Sequence, residues 1–315
     1  MAQPTLAQVH IDQALTNMSI AYMQTKPSLA RTVFPVVPVN KKSGLFFTFN
    51  KGDQYRNEAK RRAPGGTPAE GGWTASTGTF NCQEWSYRHL VPDEVRVQSD
   101  FDIDRAAVGH VSKKLQLAED LQFSTTYMTT GVWGTDFAPT TRWDQPGATP
   151  VSEVATAKQT IQASTEYEPN TMVIARDVLR ALQQSPDIRS RLAITKDQII
   201  TTDFLQNVFD VERVIVADHI YNTAAEGQTA TMAYFVTACA LLCYVAPAPA
   251  IMEPSAGYMF SWSDFDNVSA DGAAAVARYR HWDEGVRSDY YGGWAYEDMR
   301  VTGTDCGYFF GTLIN

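Results

Sequence analysis

The sequence has little cysteine and no apolar run long enough for a membrane helix, and each shortage excludes a class of protein. Four cysteines in 315 residues are too few for disulfides to stabilise a chain of this length. Their spacing also matches no zinc-binding pattern. The charge-free run 227–252 has an apolar centre of about fifteen residues before Pro247, short of the roughly 20 that a bilayer requires. We therefore expect a buried strand there, and reduced, mostly buried thiols at Cys82, Cys239, Cys243 and Cys306.

Positive charge is also in short supply. The chain has 26 Lys and Arg against 35 Asp and Glu, which gives a formal net charge of −9 and a pI of about 5.1. A nucleic-acid-binding domain normally presents a basic face, so this balance argues against tight, general DNA binding. The N-terminus lacks a basic region followed by a continuous apolar stretch, and no signal peptide is expected.

No group of residues has the spacing of a catalytic, cofactor or metal site. Asp100, Asp102 and Asp104 resemble the start of a calcium loop, but Arg105 stands where such a loop needs glycine and Val111 where it needs glutamate. Carboxylates at a helix start explain these acids better. The five histidines are scattered, and the glycine-rich stretch "APGGTPAEGG" contains no phosphate-binding motif. We expect no enzyme activity, no cofactor and no metal.

A β-hairpin with an unusually long polar tip is predicted near the N-terminus. Leu45, Phe47 and Phe49 alternate with their neighbours as in a strand, and a return strand is expected at about 77–91. Between them, 50–73 is polar, and a loop of this length is uncommon in a compact domain. It carries the basic triplet Lys60, Arg61 and Arg62. The triplet suits a nucleic-acid patch, a solvated turn or a tip that reaches another subunit; we favour the last, because the loop is too long and polar to pack on its own domain.

The rest of the chain alternates helices and strands. Apolar residues that recur every three or four positions predict a long amphipathic helix. Its predicted apolar stripe consists of Ile103, Ala107, Val108, Val111, Leu115, Ala118 and Leu121. Lys113, Lys114, Glu119 and Asp120 are placed on its other sides. A helix is expected at 152–167, then strand, helix and a short helix capped by Asp187, then a helix capped by Asp203. Strands follow, so the fold class is α+β.

The order of these parts resembles the major capsid proteins of tailed bacteriophages. The resemblance covers an N-terminal arm, "FPVVPVNKKSGLFFTFNK", the polar hairpin tip and the long helix. "RWDQPGATPVSEVATAKQTI" followed by "YEPNTMVIARDVLRAL" is similar to the segment after that helix, and "GYMFSW", "SDYYGGWAYEDMRV" and "GYFFGTLI" are similar to the closing strands. The resemblance spans nearly the whole chain. It rests on the order and spacing of these segments, since no single motif is diagnostic.

This resemblance implies the tailed-phage major capsid fold. The implied parts are an N-terminal arm at 1–30, an extended-loop hairpin with flanking strands at 31–92 (tip about 51–73), a peripheral domain with the long spine helix at 93–150, an axial domain at 151–275, and closing strands of the peripheral domain at 276–315. The extended loop would lie across a neighbouring subunit. Its triplet would then face acids of that subunit, with Glu119, Asp120, Glu297 and Asp298 as candidates.

The same resemblance implies self-assembly, as hexamers and pentamers, into an icosahedral head shell around a double-stranded DNA genome, without sequence-specific DNA binding. The implied partners are further copies of the chain, a scaffolding protein, a portal and, as a further candidate, a decoration protein. The implied location is the virion, with assembly in the host bacterial cytoplasm and no membrane. The alternatives are an encapsulin-like compartment of the same fold, a soluble α+β hydrolase, and a phage tail or adaptor ring protein.

Overall fold

Two five-stranded sheets and one long helix organise the part of the chain that the structure describes. The computed structural model describes residues 27–49, 51–99, 102–191, 200–249, 253–262, 279–283 and 287–315. Within these ranges the helices are α1 (Leu29–Val33), α2 (Lys51–Gln54), α3 (Asp93–Gln98), α4 (Ile103–Tyr127), α5 (Pro150–Thr165), α6 (Arg176–Gln184), α7 (Pro186–Arg191) and α8 (Thr202–Phe209). Most of the predicted N-terminal arm, residues 1–26, lies outside the described residues.

The strands divide between the two sheets and two separate hairpins. They are β1 (Val36–Val39), β2 (Ser43–Phe49), β3 (Ala75–Asn81), β4 (Gln83–Pro92), β5 (Thr135–Phe137), β6 (Thr171–Ala175), β7 (Arg213–Ala217), β8 (Ile220–Asn222), β9 (Met232–Tyr234), β10 (Ala240–Cys243), β11 (Gly257–Trp262), β12 (Tyr279–Asp283), β13 (Ser288–Val301) and β14 (Gly307–Phe310). This mixture confirms the α+β class.

The first sheet is built around β13, which is 14 residues long. One edge of β13 pairs antiparallel with β4 along ten register positions, from Ser288 opposite Pro92 to Glu297 opposite Gln83. Its other edge pairs with β12 and then with β11, and β1 adds to β11 in parallel. The long helix α4 packs on this sheet.

The second sheet has the order β5-β14-β10-β6-β7. Its central strands are fully buried, and β10 reads Ala-Leu-Leu-Cys with all four residues enclosed. The described part of the charge-free run, 227–249, therefore contains the predicted buried strand, β10, but it also contains the exposed strand β9. No helix among the described residues is long and apolar enough to cross a bilayer.

Two of the predicted domain boundaries do not follow the sheet pairing. Gly307–Phe310 was assigned to the closing strands of the peripheral domain, but β14 pairs with β10 and β5 in the second sheet. Gly257–Trp262 was placed in the axial range 151–275, yet β11 pairs with β13 and β1 in the first sheet. The pairing of strands depends on contacts between residues that are distant in the chain. The alternation of apolar and polar residues within one strand does not show which strand is its partner.

Helix α4 forms as the sequence predicts, and its buried side recurs every four residues. Its N-cap is Asp102, whose carboxylate accepts a hydrogen bond from the Arg105 backbone N–H at 3.0 Å. The buried positions are Ala107, Val111, Leu115, Glu119, Asp120, Phe123, Ser124 and Tyr127. A four-residue step overshoots one turn by about 40°, so the stripe winds around the helix. Its first half therefore packs on β4 and β13, while its second half faces α1 and the main core.

The shorter helices differ in detail from prediction. The helix expected at 152–167 is α5. Asp187 lies inside α7 rather than capping it. The cap of α8 is Thr201, whose hydroxyl accepts from the Phe204 N–H at 3.3 Å, and Asp203 lies in the first turn. All four cysteines are buried and free, and burial raises the pKa of Cys239 and Cys243 to about 12.

Candidate assembly surfaces

The β2–β3 hairpin is attached to its own chain along one face only. Phe46 and Phe80 stack on Phe260 of β11 with ring centroids 5.4 Å and 4.6 Å apart. On the opposite face, Leu45 is 62% exposed and Phe47 is 66% exposed. Two large apolar side chains on one strand face form an unusual solvent surface. The alternation predicted for this strand is confirmed, and its odd-numbered side is the free one.

The start of the polar tip also contacts its own chain. The Lys51 ammonium forms an ion pair with Asp305, and the Tyr55 hydroxyl donates to the Thr165 carbonyl at 3.1 Å. The Asp53 carboxylate accepts from the Thr74 hydroxyl at 2.6 Å and from its N–H at 3.0 Å, which closes the base of the loop. The expectation that the whole loop lacks local partners is therefore wrong for 51–55.

Beyond this base the tip is open to solvent. Lys60, Arg61 and Arg62 are all exposed, and within the described part of the chain no carboxylate forms an ion pair with them. Glu58 and Glu70 border the same shallow concavity of the loop. The triplet is thus displayed on an irregular, exposed segment and is free to meet another molecule.

The four acids proposed as partners for the triplet occupy a different setting. Glu119 is 3% exposed, Asp120 is fully buried and Glu297 is 5% exposed. Asp298 accepts hydrogen bonds from the Asn81 N–H at 2.7 Å and from Arg300 Nε at 2.9 Å, with its side chain 14% exposed. The placement of Glu119 and Asp120 on an outer side of the long helix is wrong, because α1 covers the second half of α4. Whether a neighbour's triplet contacts any of these acids stays a prediction.

Glu119, Asp120 and Glu297 instead form an internal acid cluster against α1, in which Arg31 pairs with Glu119 and Glu297. Arg31 Nε and Nη2 donate to the two Glu119 oxygens at 2.8 Å and 2.9 Å, and Nη2 lies 3.4 Å from Glu297 Oε2. The Ser28 hydroxyl lies 2.9 Å from Glu119 Oε1 and 2.8 Å from Asp120 Oδ1. The cluster joins α1, α4 and β13, so it fixes the point at which the chain enters the core.

Three enclosed carboxyls lie close together in this cluster, and their crowding favours the binding of a proton. Burial raises the pKa of Glu297 to about 8, and the negative charge of Glu119 adds to the rise. Burial also raises the pKa of Glu119 and of Asp120. Because interacting carboxyls titrate as a set, the raised pKa is a property of the cluster as a whole.

The raised pKa of Glu297 makes the stability of the protomer depend on pH. Between the ordinary carboxyl pKa of 4.5 and about 8, the folded chain binds more protons at Glu297 than the unfolded chain does. The free energy of unfolding should therefore fall as pH rises through this window, on the order of a few kcal/mol. Glu297→Gln cannot ionise and should be more stable than the parent at pH 8.5, with little difference at pH 4.5. Denaturant unfolding at both pH values tests this, and parallel pH profiles for the two proteins would contradict it.

The described residues contain no group of three or more His, Cys, Asp or Glu suited to hold a metal ion. The sequence indicated only part of the acid cluster. Glu119 lies four residues after Leu115 and so falls on the buried stripe, but its charge led to the opposite placement. Arg31 gave no local signal, because it is 88 residues away from Glu119.

Comparisons with known proteins agree with this architecture. No protein-family model matches the chain. A curated relative, the major capsid protein of Burkholderia phage BcepMu, is 24% identical over 225 residues, which cover 67% of this chain and 70% of that protein. The crystal structure of a phage-related protein from Bordetella bronchiseptica superposes with a TM-score of 0.69 at 23% identity, over 91% of this chain and 92% of that one.

A capsid structure from a cyanophage, P-SCSP1u, has the same fold at lower sequence similarity. Its TM-score is 0.56 at 11% identity, with 88% of this chain and 86% of that chain covered. At this identity the superposition establishes the fold, and the curated relative adds the sequence likeness. Together they show that the chain has the fold of tailed-phage capsid proteins and is similar in sequence to a phage major capsid protein.

Proposed function

We propose that this chain is a structural shell protein, which assembles with further copies of itself into the icosahedral head that encloses a phage double-stranded DNA genome. One observation carries the proposal: the β2–β3 hairpin presents an apolar face at Leu45 and Phe47 and a basic tip at Lys60–Arg62, both unpartnered within the described chain. Apolar side chains with charged groups beside them are the usual composition of an interface core and its rim.

The acidic balance of the chain supports the same role. Holding a genome by its phosphates needs basic faces, and the chain carries a formal net charge of −9. A shell of this chain would enclose DNA without binding it tightly. The sequence likeness to a phage major capsid protein favours a phage head over an encapsulin-like compartment, a soluble hydrolase or a tail or adaptor ring.

The finer partners are part of the proposal. A shell of hexamers and pentamers needs a portal at one vertex and a scaffolding protein to set its size, and a decoration protein would bind outside. Assembly would take place in the host bacterial cytoplasm before the shell becomes part of the virion. Negative-stain electron microscopy of the purified chain tests the central statement, and a strictly monomeric protein at high concentration would contradict it.

Reversing the charge of the tip should weaken assembly without unfolding the protomer. We expect Lys60→Glu, Arg61→Glu and Arg62→Glu together to leave the unfolding midpoint of the protomer unchanged, since exposed ion pairs contribute about 0–1 kcal/mol each. A shell repeats the contact in every subunit, so shell yield should fall. The fall should be larger at low salt, where repulsion is less screened. Shell yield is measured by sedimentation and microscopy across a salt series.

Two controls distinguish the effect of the triplet's position from the effect of the change in charge. Replacing the triplet with three glutamines should give a smaller defect that depends less on salt. Replacing three exposed cations outside the tip, Arg105, Lys114 and Arg180, with glutamate makes the same change in net charge. If this second variant loses assembly to the same degree, or if the tip variant assembles normally at low salt, the triplet is an ordinary solvated turn.

A further inference from the structure

Two histidines meet where the long helix packs on the first sheet. His89 lies on β4 and His110 lies on α4, and their ring centroids are 5.4 Å apart with the ring planes at 61°. Both side chains are half-buried. His89 stands between Tyr87 and Val91, on the side of β4 that packs against α4. The two rings are therefore part of the contact that holds the first half of α4 to the sheet.

Two tyrosines border this histidine pair. The Tyr87 hydroxyl of β4 lies 3.3 Å from Nε2 of His110, and the centroids of these two rings are 5.7 Å apart. On β13, the buried Tyr291 stands directly opposite His89. A neutral imidazole has one nitrogen that accepts a hydrogen bond, whereas both nitrogens of an imidazolium are donors. The contact between Tyr87 and His110 therefore depends on whether the His110 ring is charged.

Among the described residues, the charged groups around the histidine pair are positive. Lys114 follows His110 by about one turn of α4, and its ammonium opposes a positive charge on that ring. Arg96 Nη2 lies 3.5 Å from the hydroxyl of Tyr291. Within the same residues, no carboxylate forms an ion pair with either histidine. A proton on His89 or His110 thus has no negative partner to offset the cost of its burial.

We propose that the His89–His110 pair makes the contact between the first half of α4 and β4 sensitive to acid. When both rings carry a charge, they repel each other and Lys114, and the first half of the helix loosens from the sheet. A half-buried pair of like charges is screened less than a pair in open solvent. This inference goes beyond the shell function. It is tested on dilute, unassembled full-length protein, so its failure would leave the shell proposal intact.

The direction of the pKa shifts gives the pH window. Burial lowers the pKa of both histidines from 6.5, and for His110 the neighbouring His89 and Lys114 lower it further. Below 6.5 the unfolded chain therefore binds more protons at these residues than the folded chain does. Their contribution to stability is present above 6.5 and is lost as pH falls through the folded-state pKa values.

The acid cluster at the second half of α4 responds to pH in the opposite sense. The pKa of Glu297 is raised by burial, so acid favours the folded state there. Global unfolding would add the two effects together. The test must therefore report on the two halves of the helix separately.

Hydrogen exchange followed by mass spectrometry resolves the two halves. The matched variant is His89→Gln with His110→Gln, because glutamine keeps hydrogen-bonding groups but takes up no proton in this range. Between pH 7.5 and pH 5.0, amides of 107–115 in the parent should lose about tenfold more protection than the same amides in this variant. Amides of 120–127 should change alike in both proteins, which makes them the internal control. Lys114→Met should lose less protection at pH 5.0 than the parent does.

A titration of the histidine rings by NMR supplies a second readout that does not depend on the double variant. In the parent, both rings should titrate below 6.5. His89→Gln should raise the pKa of His110, because one of the like charges is removed. Equal protection of 107–115 in the parent and the double variant at pH 5.0 would overturn the inference. A ring that titrates at or above 6.5, or a His110 pKa that His89→Gln leaves unchanged, would overturn it as well.

Discussion

Replacing Arg31 with methionine is expected to destabilise the protomer by about 3–5 kcal/mol, the usual cost of removing one partner from a buried ion pair. The guanidinium donates to both oxygens of Glu119 and lies 3.4 Å from Glu297, and these two acids are 3% and 5% exposed. Methionine fills similar space but leaves the carboxyls without their cation. Since whole domains are stable by only about 5–15 kcal/mol, we expect low solubility and poor shell yield.

Three comparisons make this result specific to the acid cluster. Arg56→Met removes exposed ion pairs to Asp53 and Glu58, with Arg56 61% exposed, and should cost at most about 1 kcal/mol. Adding Glu119→Gln to Arg31→Met should restore part of the lost stability, because it removes a charge left behind. Lowering the pH should also favour the Arg31→Met protein, since the cluster carboxyls then bind protons. A loss below about 1 kcal/mol for Arg31→Met, measured by denaturant unfolding, would rule out a stabilising role for the pair.

The acid cluster shows where sequence reasoning succeeds and where it stops. A four-residue step along α4 leads from Leu115 to Glu119, so the pattern alone could have marked Glu119 as buried. The general rule that charged residues face water led to the opposite placement. Glu119 is buried against this rule because it forms an ion pair with Arg31. Arg31 lies 88 residues away in the chain, so the spacing of residues around Glu119 does not indicate it.

The sheets show the same limit. Alternation at Leu45 and Phe47 and the apolar run at Ala240–Cys243 identified strands correctly. Neither pattern states which strand lies alongside, and so the pairing of Gly307–Phe310 with β10 and β5 could not be predicted. The order of elements, compared with a known family, supplied the fold as a whole. It did not supply the enclosed charges or the histidine pair between α4 and β4, which depend on this chain's own side chains.

Replacing Leu115 with aspartate is expected to prevent the protomer from folding. Leu115 is 5% exposed and packs in a cluster with Val91, Val111 and Tyr291, between α4 and the first sheet. Truncating a buried leucine costs about 2–5 kcal/mol, and an unpaired carboxylate in the same place adds a desolvation penalty. The sum approaches the whole stability of a domain. We therefore expect insoluble protein and no shells.

The neighbouring Lys114→Asp is the matched control, because it introduces the same side chain one position along the helix at an exposed site. It should change the free energy of unfolding by about 0.5–1 kcal/mol, from helix propensity and local charge, and give soluble protomers. Any defect it causes should appear in shell assembly and should respond to salt, as expected for an exposed charge. Soluble fractions after expression, followed by denaturant unfolding of the soluble protein, compare the two variants. If both are equally soluble and equally stable, the buried stripe of α4 does not pass through Leu115, and the packing of this helix on β4 and β13 must differ from the arrangement described above.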